Sequence, residues 1–186
     1  MAQQRWLPWH LQKLLAYNDE TFSILVARMS QRTQILPEND GITHINIGTD
    51  AKTWLGRELA PTAHRPFKHY EHGTFASVEG YSLWLTRQDE SLRDLHGQEA
   101  IEIGANLPVV KRWTKAQYIQ HINVANASKI GAHPDLKTEL IKSVLPIEQY
   151  VVEEINGQKK ITHVPDSEEK LAWIEGLRRE ENPEAD

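Results

Sequence analysis

The 186-residue chain contains no cysteine. That absence excludes a disulfide framework, a thiolate nucleophile and cysteine-ligated zinc, and it suits a reducing cytosol. No apolar run is long enough to cross a bilayer, and the N-terminus carries no secretory pattern, so a cytoplasmic protein with no membrane partner is expected. Positive charge is in short supply. Lys and Arg number 21 against 26 Asp and Glu, a formal charge of −5. This argues against a sequence-independent coat on nucleic acid, while leaving room for a local basic pocket that holds one phosphorylated ligand. Collagenous, repetitive and low-complexity patterns are also missing. What remains is an ordinary globular composition on a chain long enough to bury a sizeable core.

The residues fall into a helical N-terminal extension (1–40), a main domain (41–180) and an acidic tail (181–186). In the extension, Leu7, Leu11, Leu14 and Leu15, then Phe22, Ile24, Leu25 and Met29, form two amphipathic stretches. Ile42 to Gly48 alternates apolar and polar residues and reads as the first strand. Thr53 to Lys68 reads as a loop broken by Pro61 and Pro66, and it gathers Arg57, His64, Arg65 and Lys68. Such a loop is either a solvated polar connector or a grip for a phosphate or pyrophosphate. Three histidines, His64, His69 and His72, lie close in sequence, but their spacing matches no standard zinc pattern, so no metal and no cofactor is expected.

Ser77 reads as the N-cap of a helix carrying Val78, Tyr81, Leu83, Trp84 and Leu85 at helical spacing, after a turn in which Gly73 takes positive φ. Glu79 stands in its first turn. It is either a plain first-turn acid suited to the helix dipole or, shielded by Tyr81 and Trp84, a general acid or base with a raised pKa. Further helices are expected from Gln88 through Leu92 and Leu95 to a stop at Gly104, from the Thr114 cap to about Lys129, from Pro134 to about Ser143, and after Asp166 or Ser167. Tyr150–Ile155 and Lys159–Val164 flank Asn156-Gly157, a strong hairpin signal. The expected architecture is α+β: a mainly helical single domain around a small antiparallel sheet.

Cleavage of an N-glycosidic bond needs a carboxylate to stabilise an oxocarbenium-like centre or activate water, and aromatic rings to stack on a base. Glu79, Tyr81 and Trp84 supply those types, Arg57, Arg65 and Lys68 suit a pyrophosphate, and Lys129, Lys111 and Lys115 are amines for a Schiff base. Asn123 and Asn126, about one helical turn apart, are either ribose-binding amides or ordinary helix-surface ones.

Over residues 55 to 143 the chain resembles the NADAR (YbiA-like) N-glycosidase family. The resemblance rests on Pro66-Phe67, Gly73, Ser77-Val78-Glu79-Gly80-Tyr81, Glu99-Ala100 with Ile103-Gly104, Trp113, and Lys129-Ile130 with Leu136 and Leu140. It implies a YbiA-like fold and action on an ADP-ribosylated base or related phosphoribosyl N-glycoside. In that case Glu79 is the catalytic or ribose-contacting carboxylate and Trp113 a pocket or structural aromatic. The partner would be a small nucleotide-like ligand or ADP-ribosylated nucleic acid. The chain departs from the family pattern in having Gly80 where a histidine usually follows the glutamate, and Thr86-Arg87 where a lysine is usual. A hairpin also stands in place of the C-terminal Trp-Gly-Asp-Gly-like loop. Two other readings stand beside the enzyme: a catalytically silent binding module for a nucleotide, ADP-ribose or modified base, and a small protein-binding inhibitor.

Overall fold

A computed structural model describes residues 35–110, 112–155, 158–164 and 167–181. Most of the predicted N-terminal extension, the Asn156-Gly157 turn, Lys111 and the acidic tail after 181 lie outside the described residues. The described chain runs through a short 3-10 turn (Pro37–Asn39), β1 (Ile45–Asn46), α1 (Trp54–Leu59), β2 (Phe67–His69), β3 (Gly73–Phe75) and α2 (Val78–Arg87). A second 3-10 turn (Glu90–Asp94) leads to α3 (Gly97–Asn106), α4 (Lys115–Ala132), α5 (Pro134–Lys142), β4 (Ile147–Glu148), β5 (Tyr150–Ile155), β6 (Gln158–His163) and α6 (Ser167–Glu181).

The fold is the mainly helical α+β domain that the pattern predicts. Its strands form three pairs: β1 with β4 in parallel, β2 with β3 and β5 with β6 antiparallel. Helix α4 is the axle. Its C-terminal half packs Ala127 and Ile130 into one core with Ile45, Leu136, Ile147 and Trp173. Ala125, nearer its middle, joins the other core with Phe67, Phe75, Tyr81 and Trp84. Because α4 is covered on several sides, it buries a continuous run from Val124 to Ala127 and then Lys129 and Ile130, instead of a single stripe. Thr114 and Gln117 fix its start as a reciprocal capping box.

Several local expectations change in the fold. The first strand shrinks to two residues, because Asp40 to Thr43 turn back with Gly41 at φ 86° and leave Ile42 exposed. Residues 53–59 are not loop: Thr53 caps a helix by accepting from the Gly56 N–H, and the helix stops before Pro61. Gly104 does not end α3, which continues to Asn106. It is buried under Leu83, whose Cδ1 would stand 2.7 Å from any added Cβ. The β2–β3 turn does require Gly73 at positive φ, 85°.

Candidate functional site

Helix α2 divides the chemistry. Ser77 caps it, accepting from the Gly80 N–H at 2.9 Å and donating to the Leu95 carbonyl at 2.8 Å. At about 100° per residue, Val78, Tyr81, Trp84 and Leu85 share the face that enters the aromatic core, while Glu79 points away from Tyr81. Gly80 is set by sterics. A Cβ there would lie 2.5 Å from the Leu92 carbonyl oxygen and 2.8 Å from that of Leu95, so the 3-10 turn can sit on α2 only at a glycine.

Glu79 lines a cleft of about 450 Å³ with Asn46, Gly48, Thr62, Gln149 and Tyr150. The Ala60-Pro61-Thr62 segment is one wall, and three elements hold its three consecutive carbonyls. Lys129 Nζ donates to Ala60 at 2.9 Å, the Glu79 N–H to Pro61 at 2.8 Å and the Gly97 N–H to Thr62 at 2.8 Å. The facing wall is equally fixed. Asp40 accepts from the Asn46 and Lys52 backbone N–H groups, and the Asn46 amide pairs with both backbone groups of Tyr150. Such a cleft is formed before any ligand arrives.

Behind this Ala60-Pro61-Thr62 strap, charge is enclosed. Burial raises the Glu79 carboxyl pKa above its ordinary value, with Lys170 on α6 pulling the other way and losing. Lys170 itself is lowered to about 8 by burial, against the opposing attraction of Glu79. Lys129 is 1% exposed and is lowered to about 7. Burial dominates, with Glu58 opposing and Lys170 and Arg65 reinforcing. Tyr118 closes the group: its hydroxyl meets Ser82 Oγ at 2.6 Å, and burial followed by the Glu79 charge raises its pKa despite that bond. Among the described residues the Glu79 carboxylate takes no hydrogen bond, which leaves its oxygens for whatever enters the cleft. Lys170 went unnoticed in the sequence because it is a single lysine in an acidic helix segment, 91 residues after Glu79, with no motif around it.

The other predicted site residues are dispersed. Arg57 donates to the Ala51 and Lys52 carbonyls, and Arg65 pairs with Glu58 and Asp135. Lys68 is exposed on β2. Tyr81 is fully buried with its hydroxyl 2.8 Å from His72 Nδ1, and the Trp84 indole N–H donates to Glu90 at 2.9 Å. Trp113 is half-buried against His121, with ring centroids 4.5 Å apart. On α4, Asn126 donates to the Ile122 carbonyl at 2.9 Å, and the Asn123 Oδ1 is buried without a hydrogen-bond partner. None of these eight lines the cleft; its cations are Lys52 and Lys159.

This architecture has a solved counterpart. The NMR structure of the E. coli protein YbiA superposes with a TM-score of 0.52 at 17% sequence identity, covering 78% of this chain and 92% of that one. The chain has a YbiA-like fold. No protein-family model and no curated protein matches its sequence. The YbiA-like scaffold thus stands on structure, and the extra length lies on this chain's side of the comparison.

Proposed function

We propose that the chain is a NADAR-type N-glycosidase that hydrolyses the bond between a base nitrogen and ribose in an ADP-ribosylated base or related phosphoribosyl N-glycoside. The observation that carries this reading is Glu79: a carboxylate in the cleft wall, free of hydrogen bonds among the described residues, with its pKa raised by burial. In the carboxylate form Glu79 accepts a proton from water as that water attacks the anomeric carbon, and its charge stabilises the developing oxocarbenium centre. The C–N bond breaks and its electron pair leaves with the base nitrogen. Lys170 acts through Glu79, its charge opposing the rise that burial gives the carboxyl pKa and so favouring the carboxylate form. Lys129 fixes the strap through the Ala60 carbonyl, so its role is to hold the cleft's shape. Lys52 and Lys159 are the cleft cations suited to a phosphate.

Release of free base from an ADP-ribose–guanine adduct, followed by chromatography, tests the proposal. Glu79→Gln keeps size and removes the charge, so turnover should fall by about 100-fold or more while the melting temperature stays near wild type. Turnover at the wild-type rate in that variant refutes the assignment. A silent binding module is the second reading, favoured by Thr86-Arg87 standing where the family usually has a lysine. It predicts that ADP-ribose raises the melting temperature with no product formed.

A further inference from the structure

On the face of α2 turned away from Glu79, the fold assembles three imidazoles from separate elements. His69 ends β2, His72 lies in the β2–β3 turn and His121 comes from α4. One nitrogen of each lies within 4.8 Å of the others. His64, the third histidine of the sequence cluster, is elsewhere, stacked on His96 with centroids 4.3 Å apart. The hydrogen bonds assign different parts to the three. His69 Nδ1 accepts the Glu71 and His72 backbone N–H groups at 3.2 and 3.3 Å, which puts its hydrogen on Nε2. That Nε2 is buried and has no acceptor. With one nitrogen bonded and the other protonated, His69 has no lone pair for a cation. His72 is the reverse case: Tyr81 holds its Nδ1 at 2.8 Å, leaving Nε2 free at 3.9 Å from the Glu71 carboxylate. His121 makes no hydrogen bond among the described residues, and its ring centroid is 4.9 Å from that of His72.

We propose that His72 Nε2, the His121 imidazole and the Glu71 carboxylate bind one divalent transition-metal ion of the zinc type, with the His69 Nε2–H donating to a water or anion held on that ion. Two imidazoles and a carboxylate with an open position form a recognised ligand set for zinc or iron-group ions. The Tyr81 hydroxyl supplies the outer contact that fixes His72 with Nε2 forward. The same arrangement gives the orphaned His69 N–H the acceptor it otherwise lacks. Ligand atoms on one ion stand about 3.3 Å apart, given metal–nitrogen bonds of about 2.0 Å, so the rings must close slightly. Glu71 is exposed and His121 half-buried, so both have room to move. Burial lowers the pKa values of His72 and His121 and favours the neutral, ligating form, helped at His72 by His121, Arg112 and Arg93 and opposed at both by Glu71. With Arg93 and Arg112 near His72, Glu71 is the counter-charge the ion needs.

Titration of the tag-free full-length chain with zinc chloride by calorimetry, paired with cobalt(II) absorption, tests this. One ion per chain is expected, weakened about tenfold or more by His121→Ala and by Glu71→Gln, and unchanged by His64→Ala. Glu71 is exposed, so its replacement leaves the fold intact. Absence of binding, or wild-type affinity in Glu71→Gln, overturns the site. Because it faces away from the cleft, neither result bears on the role of Glu79.

Discussion

Replacing Lys129 with methionine should change the way stability depends on pH. Lys129 is buried, donates to the Ala60 carbonyl and has its pKa lowered from 10.5 to about 7. Its folded pKa lies below its unfolded one, so between about pH 7 and 10.5 the unfolded chain binds a proton that the folded chain does not. Stability therefore rises with pH through that window and is lost as pH falls through it. At about 1.4 kcal/mol per pH unit, the drop corresponds to about 5 kcal/mol as an upper bound. Methionine keeps the apolar stem and removes the titration. It also leaves the buried Ala60 carbonyl without its donor, at about 1–3 kcal/mol. The variant should thus be less stable than wild type by about 1–3 kcal/mol near pH 9.5, and the gap should narrow or reverse near pH 7.5. Urea unfolding of both proteins at several pH values between 7.5 and 9.5 measures this. The window avoids histidines below and free tyrosines above. Lys170 titrates in the same range but is present in both proteins, so its contribution cancels to first order. Parallel stability profiles would refute the buried, near-neutral amine.

Two further outcomes follow from the same structure. Gly80→Ala drives a methyl into the Leu92 and Leu95 carbonyls, so denaturant unfolding should show a loss of about 1–3 kcal/mol; wild-type stability would mean the 3-10 turn yields freely. The pKa of His69 is lowered to about 3 by burial first and then by His72 and His121, so below pH 6.5 the unfolded chain takes up a proton that the folded chain refuses. Stability should fall as pH drops from 6.5 towards 3, and His69→Phe should flatten that slope in metal-free buffer, read by fluorescence-detected unfolding at pH 4 to 6.5.

Most helices were legible because their signals are local. Ser77 and Thr114 as N-caps and Pro134 at a helix start each act within a single turn, and all three work as read. The hairpin was equally plain: Ile155 pairs with Gln158 across the two residues the sequence marks as its turn. The first strand was overread because alternation from Ile42 to Gly48 does not reveal that Asp40 folds back to accept from Asn46 and Lys52. The anion grip could not be judged from composition, since the groups occupying Arg57 and Arg65 include Asp135, 70 residues away.

The site shows a sharper limit. Glu79, Tyr81 and Trp84 look like one constellation because they are close in sequence, yet a helix separates residues two apart by roughly 200°. The fold sends Tyr81 and Trp84 to the aromatic core and Glu79 to the cleft, and each then acquires partners from the far end of the chain or from α4. Lys170 reaches Glu79 from α6, while His121 reaches His72 from α4. A single short helix, α2, thus presents two unrelated groups, a carboxylate at a cleft and a tyrosine beside an imidazole. The residue types on α2 pointed to a carboxylate chemistry at Glu79, while nothing in the sequence tied Tyr81 to an imidazole. The partners that divide them between two faces are set by packing across 49 to 91 residues of chain, which no local spacing rule carries.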